Sequence, residues 1–236
     1  MPAERFYLPT HLTPGLIVDL KGQEHHHLFR VMRLRAGEKV ELIDGKGALA
    51  IGQVLSTESQ GTTLKILSAT QTPRSRVTSI AAIPLMRGAK LEWAIEKGTE
   101  LGADSFWIYI ADASKTEALS PHQLERLRLV ILSAAKQSRR LFLPSIEILP
   151  HLAAVFHHSG QFLFGDPKAE NFNWPALAST VICITGPESG FSDEELNLLE
   201  KQATPIRLGP YVLRAETAPI AALSIVQSRL GQDSNL

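Results

Sequence analysis

The hydrophobic pattern changes its period at about residue 70, and this change limits the folds that the chain can adopt. Up to about Thr70 there are short runs in which apolar and polar residues alternate, such as "GLIVDL" and "TTLKILSA". Alternation of this kind is typical of strands with one buried face. The "DGKG" segment (44–47) between two such runs predicts a β-hairpin. We therefore predict a small all-β domain, a barrel, over residues 1–72, with "HHHLFRVMR" as an embedded helical turn.

Beyond residue 72, strand patterns and helix patterns alternate. "SIAAIPLM" is followed by the amphipathic run "GAKLEWAIEKGTELG", and "SFWIYIA" by a helix in which Ser120 and Gln123 form a capping box. "TVICIT" (180–185) is almost wholly apolar, as expected for a strand that is covered on both faces. Strands that alternate with crossover helices predict a parallel sheet. Residues 73–236 are therefore expected to form an α/β domain, with "QTPRSR" (71–76) as the linker.

The charges are balanced in total but are segregated along the chain. The formal net charge is +0, yet four basic residues and no acidic one lie between Gln71 and Lys90. Residues 121–140 carry five basic residues against Glu125 alone. A basic face on a neutral protein suits a polyanion such as a nucleic acid. A solvated helix face would explain the same charges, so the pattern leaves both interpretations open.

Several classes of protein are disfavoured by composition. No apolar run approaches the roughly 20 residues that span a bilayer, and the N-terminus lacks a secretory signal pattern, so a soluble cytoplasmic protein without a membrane partner is expected. The single Cys183 excludes an internal disulfide and a cysteine-based zinc site. His25, His26 and His27 are consecutive, so their side chains point in different directions, and no partner stands at ligand spacing. We therefore expect no metal.

The segment "ITGPESGFSDEEL" (184–196) joins an apolar strand to a helix. Ser192 and Glu195 form a second capping box, which fixes the start of that helix. Gly186 and Gly190 allow the backbone to turn tightly and to approach a ligand closely. A phosphate-binding loop would carry a lysine where this loop has Glu188, so a nucleotide phosphate is disfavoured.

A second loop, "IRLGPYVLRAETAPIAAL" (206–223), follows another strand. Gly209 ends that strand, and Glu216 and Thr217 stand at the start of the next helix. Both loops are expected at the carboxyl edge of one parallel sheet, where ligands bind. Without a phosphate-binding device, they suit a ligand that is held by its base and by backbone contacts. Arg214 between them is placed to face an anionic second substrate.

Five segments together resemble one bacterial family. "ITGPESGFSDEE" followed by "RLGPYVLRAETA" resembles the pattern G-P-E-G-G-F-S…L-G-x-x-[IV]-L-R-x-E-T-A, and "HHHLFRVMRLRAGEKVELIDGKG" resembles that family's N-terminal signature. "EKGTELGADSFWI" and "AAKQSRRLFLPSI" resemble two further segments, so the match covers nearly the whole chain. The family methylates N3 of a uridine in 16S ribosomal RNA and is a branch of the knotted SPOUT methyltransferases.

The resemblance implies a fold, a cofactor and partners. The fold is an α/β, knotted SPOUT methyltransferase domain with a parallel sheet, preceded by a small PUA-like β-barrel domain that binds RNA. The cofactor is S-adenosylmethionine, whose sulfonium and adenosine carry no phosphate. The partners are 16S rRNA within the small ribosomal subunit and a second copy of the chain. The implied cofactor-binding residues are Phe164, Gly165, Thr185, Gly186, Pro187, Glu188, Gly190, Leu208, Gly209, Val212, Leu213, Thr217 and Ala218.

The resemblance also implies RNA-binding residues, and the chain departs from the family pattern at three positions. Ser189 replaces the second glycine of G-P-E-G-G, Arg87 stands where a lysine is usual, and Lys115 matches only loosely. Arg139 and Arg140 have a second interpretation, as a solvated helix end that suits the helix dipole. The implied RNA-binding residues are His27, Arg30, Arg33, Arg87, Lys115, Arg139 and Arg140.

Methylation of uracil N3 requires removal of a proton from a weak acid. Arg214 is hypothesised to hold the developing negative charge, and Glu188 or Glu216 to accept the proton. Each glutamate has a structural alternative, Glu188 as a helix-dipole partner or dimer contact and Glu216 as a charge at a helix N-terminus.

Methylation at carbon 5 would commonly need a cysteine nucleophile, whereas Cys183 lies in an apolar strand and is expected to be inert core. Nitrogen methylation is therefore favoured. Two other functions stay open. One is a related knotted methyltransferase that acts on another base or another RNA. The other is a non-catalytic RNA-binding protein with a vestigial cofactor loop, which only Ser189 suggests.

Overall fold

The computed structural model describes residues 4–114, 118–169 and 176–233, and the chain divides into two compact units. The first comprises residues up to 74 together with 135–143, and the second comprises 75–134 and the residues from 144 onward. The chain thus passes from the first unit to the second two residues after the boundary expected between 72 and 73. The sequence did not indicate that 135–143 belongs to the first unit.

The "DGKG" turn explains why residues 135–143 join the first unit. The Gly47 N–H donates to the Leu141 carbonyl (3.0 Å), and the Leu143 N–H donates to the Gly45 carbonyl (3.0 Å). A Cβ on Gly47, whose φ is +104°, would lie 2.4 Å from the ring of Phe142. The glycines therefore serve both the tight turn and the close approach of the second segment.

The first unit contains a five-stranded sheet in the order β1-β3-β4-β5-β2, which is antiparallel except for the β1–β3 pair. The predicted hairpin is the β3–β4 pair, and the predicted helical turn is a short helix that continues into a π-helix; both are confirmed. Irregular pairing of β4 with β5 bends the sheet around a buried core. The elements are β1 Arg5–Tyr7, β2 Ile17–Leu20, α1 Gly22–His26, the π-helix His27–Met32, β3 Lys39–Ile43, β4 Ala48–Glu58 and β5 Gly61–Gln71.

The second unit contains a six-stranded sheet in the order β11-β9-β10-β6-β7-β8, in which every pairing is parallel. This confirms the predicted parallel sheet with crossover helices. Its strands are β6 Thr78–Pro84, β7 Ser105–Tyr109, β8 Ser145–Leu149, β9 Gln161–Gly165, β10 Thr180–Ile184 and β11 Thr204–Ile206. Its helices are α2 Gly88–Glu100, α3 Pro121–Gln137, which extends into the first unit, a 3₁₀ helix Leu152–His157, α4 Asp193–Gln202 and α5 Ala218–Asp233.

The central strand β10 is buried on both faces. Ile182 and Ile184 face a cluster that includes Leu199 of α4, and Val181 and Cys183 face a cluster that includes Val226 of α5. Cys183 is 1% exposed, and burial raises the pKa of its thiol to about 12, which confirms it as inert core. Along the described ranges, no helix is long and apolar enough to cross a membrane.

Both predicted capping boxes are present. Ser120 and Gln123 exchange side-chain-to-backbone hydrogen bonds at 2.8 and 3.2 Å before α3. Ser192 and Glu195 do the same before α4, at 2.9 and 3.1 Å. The first turns of these helices are therefore fixed by the sequence itself.

Candidate functional site

The carboxyl edge of the parallel sheet holds a cavity of about 550 Å³. Its walls are the residues that follow β9, β10 and β11, with Lys90 from the first turn of α2 and Ala218 from the first turn of α5. The two glycine-bearing loops, 185–191 and 208–215, thus lie side by side on one concave surface. This is the edge at which parallel α/β sheets bind ligands.

Most of the residues that the resemblance implies for a cofactor line this cavity. Phe164 is buried beneath it and packs edge-on against Phe191, which does line the cavity. Thr217 lies outside the lining, in the turn whose N–H groups bond back to Arg214. Their roles stay predictions. The eleven that line the cavity are Gly165, Thr185, Gly186, Pro187, Glu188, Gly190, Leu208, Gly209, Val212, Leu213 and Ala218.

Thr185, the first residue after β10, is held by its backbone while its hydroxyl is left unpaired. Its N–H donates to the Ala82 carbonyl (3.0 Å), and its carbonyl accepts from the buried Tyr109 hydroxyl (2.7 Å). Burial, and then the charge of Glu195, raise the pKa of Tyr109 well above its usual range, so the hydroxyl stays a donor. Thr185 Oγ1 has no hydrogen-bond partner among the described residues, although the residue is only 1% exposed.

The rest of the first loop is fixed by the start of α4. A Cβ on Gly186 would lie 3.1 Å from the Phe191 ring, and Gly190 has a φ of +80°. Among non-glycine residues of the described ranges, positive φ is confined to Arg33 and Arg139. Ser189 therefore has an ordinary backbone conformation, and the replacement of the family's glycine there requires no strained angle.

Three charged side chains meet at one side of the cavity. The Lys90 ammonium contacts Glu188 Oε1 directly and lies 4.0 Å from Glu216 Oε2. Arg214 and Glu188 line the cavity as expected for contact with a substrate. Glu216 does not line it, and its Oε2 is buried without a hydrogen-bond partner in the described parts of the chain.

Sequence reasoning missed several lining residues: Lys90, Asp166, Pro167, Phe191, Tyr211 and Ala215. The same rule that located the two loops would have found two of them. Asp166 and Pro167 directly follow β9, whose carboxyl end lies beside that of β10. Lys90 lies in the first turn of the helix that follows β6, at the same edge of the sheet.

Five of the implied RNA-binding residues lie in the first unit. Arg30 and Arg33 line a hollow of about 690 Å³ beside Phe29, and the Arg30 guanidinium stacks over that ring at 5.1 Å. His27 bonds to Glu4 (3.1 Å), and Arg139 and Arg140 belong to the segment 135–143. Arg87 is exposed before α2 in the second unit, and Lys115 lies outside the described residues.

Comparison with known families defines the class of protein. Residues 73–227 match the RNA methyltransferase domain family, and residues 20–67 match the RNA methyltransferase PUA domain family. The parallel sheet with its carboxyl-edge cavity and the preceding β-rich unit are thus the two domains of an RNA methyltransferase. The predicted fold class, a SPOUT-type α/β domain preceded by a PUA-like domain, is confirmed.

Similar proteins narrow the class to one family. The chain is 33% identical to ribosomal RNA small subunit methyltransferase E of Mycobacterium tuberculosis, over 96% of this chain and 92% of that protein. The solved enzyme of that name from Neisseria gonorrhoeae, bound to S-adenosyl methionine, is 25% identical with a TM-score of 0.87, over 96% and 98% of the two chains. A methyltransferase of Legionella pneumophila in complex with the same cofactor is 25% identical with a TM-score of 0.89, over 97% of this chain and 98% of that chain. The chain belongs to the family of ribosomal RNA small subunit methyltransferase E.

Proposed function

We propose that the protein transfers a methyl group from S-adenosylmethionine to N3 of a specific uridine in 16S ribosomal RNA of the small subunit. The carboxyl-edge cavity carries the proposal, together with the Thr185 hydroxyl in its wall, which has no hydrogen-bond partner in the part of the chain that the structure describes. Two solved relatives that span almost the whole chain hold S-adenosylmethionine. The relatives' name supports small-subunit ribosomal RNA as the substrate. Methylation at N3 rests on the resemblance of the two C-terminal loops to that family.

The cavity residues fit this cofactor. Thr185 Oγ1 offers a buried hydrogen-bonding group that no described residue satisfies, and a ligand would supply its partner. Among the described residues, no atom lies within 4 Å of where a Cβ of Gly209 would stand, so the backbone of the second loop is open to close approach. The carboxylates of Asp166 and Glu188 suit a sulfonium cation. Thr185 and the backbones of both loops would therefore hold the cofactor.

The reaction places definite demands on the chain. The cofactor supplies a methyl group on positively charged sulfur, and the cavity must bring uracil N3 in line with it, which can account for about 7–11 kcal/mol of the barrier. Arg214 lines the cavity and can stabilise the negative charge that develops when N3 loses its proton. The proton acceptor is one of the nearby carboxylates. Of the two candidate glutamates, Glu188 lines the cavity and Glu216 does not, and the Asp166 carboxylate also lines it.

The partners belong to the same proposal. We infer a homodimer from the resemblance, a small ribosomal subunit as the substrate particle, and the cytoplasm as the place where that particle is modified. The hollow beside Phe29, with its three arginines Arg30, Arg33 and Arg35, supports RNA binding by the first unit, because arginine and aromatic side chains stack on unpaired bases. Sedimentation equilibrium of the purified protein tests the dimer.

Two measurements test the function. Calorimetry with S-adenosylmethionine separates an enzyme from a non-catalytic RNA-binding protein, and absence of binding would remove the enzyme assignment. Mass analysis of 16S rRNA from a strain without the gene, before and after the gene is restored, identifies the modified base. We expect one uridine to regain an N3-methyl group. A restored methyl group on another base, or on another RNA, would assign the chain to a related methyltransferase with a different target.

A further inference from the structure

Lys90 is a cavity-lining cation to which neither the sequence pattern nor the resemblance assigns a role. It lies in the first turn of α2, and its ammonium group stands between two carboxylates from different loops, Glu188 of the first and Glu216 of the second. Glu188 and Lys90 both line the cavity, whereas Glu216 does not and is largely buried, with a side chain 14% exposed.

The fold explains how Lys90 reaches this position. β6 lies between β10 and β7, so the helix that follows β6 starts beside the loop that follows β10. Gly88 adopts a φ of +40°, and the Lys90 N–H donates to the Arg87 carbonyl (3.2 Å), which turns the chain from the strand into the helix. The tight turn 214–218, held by N–H groups of Thr217 and Ala218 on the Arg214 carbonyl, brings Glu216 to the other side of Lys90.

The Lys90–Glu188 contact is poorly suited to a purely structural role. The two side chains are 42% and 59% exposed, and ion pairs as exposed as this contribute little to folding free energy because solvent screens them. Breaking the Lys90–Glu188 contact therefore costs little free energy. The Glu216 carboxylate, which is not hydrogen-bonded to Lys90, still balances its charge when the contact with Glu188 is broken.

The contact between Lys90 and Glu188 changes the charge that a cationic cofactor meets in the cavity. The cofactor of the proposed reaction is a cation, and an unpaired ammonium in the wall would repel it. When Lys90 contacts Glu188, its charge is neutralised. When a uracil enters, the same ammonium can donate to a carbonyl oxygen of the base, and Glu188 is released in the wall of the same cavity.

We propose that Lys90 is a catalytic residue that exchanges partners: its ammonium leaves Glu188, binds a carbonyl oxygen of the target uracil, and thereby both stabilises the uracil anion and frees the Glu188 carboxylate to accept the N3 proton. The proposal rests on the proposed function and names two further roles within it. The juxtaposition of Lys90 with Glu188 and Glu216 on one cavity carries it.

The step balances with the groups named. The N3–H bond breaks with its electron pair left on N3, and the proton passes to Glu188. N3 then forms a bond to the methyl carbon while the carbon–sulfur bond breaks and its electron pair stays on sulfur. Glu188 returns its proton to solvent, and Lys90 pairs with Glu188 again when the methylated base leaves. No oxidant or other reactant is needed.

Lys90→Met tests the cationic role, and α2 itself offers a matched control. Lys97 lies seven residues further along the helix and also contacts two carboxylates, Glu96 (2.8 Å) and Glu100 (2.7 Å), but it does not line the cavity. With small subunits from a strain that lacks the gene as substrate, we expect Lys90→Met to lower kcat on the order of 10²–10³-fold, as for removal of one charge-stabilising donor. The calorimetric Kd for S-adenosylmethionine should not weaken, because the variant removes a cation from the wall and leaves the Glu188 carboxylate. Lys97→Met should keep the kcat and Kd of the parent protein.

Glu188→Gln tests the proton acceptor with a readout that a structural role would not move. Without the carboxylate, the proton must leave N3 for hydroxide, so the rate of this variant should rise steeply with pH until it approaches the parent rate in alkali. Lys90→Met keeps Glu188, and its rate should gain less from alkali. A flat pH profile for Glu188→Gln, or equal alkaline recovery of both variants, overturns the exchange.

The outcomes distinguish a failure of this proposal from a failure of the proposed function. If the parent protein neither binds S-adenosylmethionine nor methylates the subunit, the proposed function fails and the exchange fails with it. If the parent is active and Lys90→Met retains its kcat, only the role of Lys90 is lost. If Lys90→Met loses cofactor affinity in proportion to kcat, Lys90 is a cofactor-binding residue, and the exchange is likewise overturned.

Urea unfolding of each variant shows whether a loss of kcat reflects folding instead. In that case Lys90→Arg, which keeps the charge, must restore part of kcat.

Discussion

The two edges of the parallel sheet differ in whether certain buried polar side chains are hydrogen-bonded within the protein. At the amino edge, the Ser79 N–H donates to Asp104 Oδ2 (2.9 Å), Gln227 Nε2 donates to Ser79 Oγ (3.2 Å), and Ser145 Oγ donates to Ser105 Oγ (2.9 Å). At the carboxyl edge, Thr185 Oγ1 and Glu216 Oε2 are buried without hydrogen-bond partners in the described residues. The three central strands β6, β7 and β10, which lie between the edges, are almost wholly buried.

The difference shows how one sheet separates stability from function. A buried polar group that lacks a partner costs about 1–3 kcal/mol, so such groups persist only where something else compensates. At the amino edge the protein itself supplies the partners, and the hydrogen bonds join the starts of β6, β7 and β8. At the carboxyl edge, under the proposed function, the cofactor would supply a partner for Thr185 Oγ1, whereas Glu216 Oε2 lies 4.0 Å from the Lys90 ammonium. Substitutions at the two edges should therefore affect different quantities.

The largest effect is expected from Arg214→Ala at the carboxyl edge. Arg214 is exposed on the cavity wall, so its loss should leave the free energy of unfolding unchanged. Removal of a group that stabilises charge in the transition state should lower kcat on the order of 10²–10³-fold. Single-turnover methylation of small subunits measures this. Normal turnover together with normal cofactor affinity would remove Arg214 from the mechanism.

Asp104→Ala should show the reverse at the amino edge. The Asp104 carboxylate accepts from the N–H of Ser79, which is 1% exposed, and hydrogen bonds to charged groups contribute about 1.5–3 kcal/mol. We expect the free energy of unfolding in urea to fall by that amount and the Kd for S-adenosylmethionine to stay unchanged. Glu200→Ala, on the exposed face of α4, is the matched control. A weakened Kd in Asp104→Ala would show that the edges are coupled.

The elements of the second unit could be predicted from the sequence because local patterns determine them. Both capping boxes, the apolar strand around Cys183 and the glycine that ends α2 are signals carried by neighbouring residues. Gly102, for example, has a φ of +94°, as the helix stop requires. Helix and strand positions follow from such signals with few alternatives.

Long-range pairing is what the sequence did not show. The return of 135–143 to the first unit depends on backbone bonds from Leu141 and Leu143 to glycines almost 100 residues away. Lys90 was counted only as part of a basic stretch, because Glu188, which it contacts, lies almost 100 residues further along the chain. The 3₁₀ helix Leu152–His157 was also missed, since six residues are too few to show a helical period.

Thr185→Val tests the comparison at a single hydroxyl. Valine keeps the shape of threonine and removes only a group that has no partner in the described protein, so the free energy of unfolding should stay the same or rise. The Kd for S-adenosylmethionine should increase roughly fivefold, which corresponds to about 1 kcal/mol for one hydrogen bond. Ser79→Ala, which removes a paired hydroxyl, should destabilise the fold without changing Kd. Equal destabilisation by both variants would contradict the distinction between the edges.

Cys183 lies between the edges, in the body of β10, and its effect is confined to alkaline pH. Burial raises the pKa of its thiol from 9.0 to about 12 in the folded protein, so above pH 9 the unfolded chain releases a proton that the folded chain retains. The folded state then binds more protons than the unfolded state, so the contribution of Cys183 to stability must fall as pH rises. It is fully present below pH 9 and is lost progressively towards pH 12. The limiting slope is about 1.4 kcal/mol per pH unit for one group. Urea unfolding at pH 8 and pH 10 should show this decline, and Cys183→Ala should reduce it; Tyr109 and Tyr7, whose pKa values burial also raises, contribute to the rest. An unchanged decline in Cys183→Ala would mean that the thiol is not sealed in the sheet, and the two edges would then not be separated by an impermeable core.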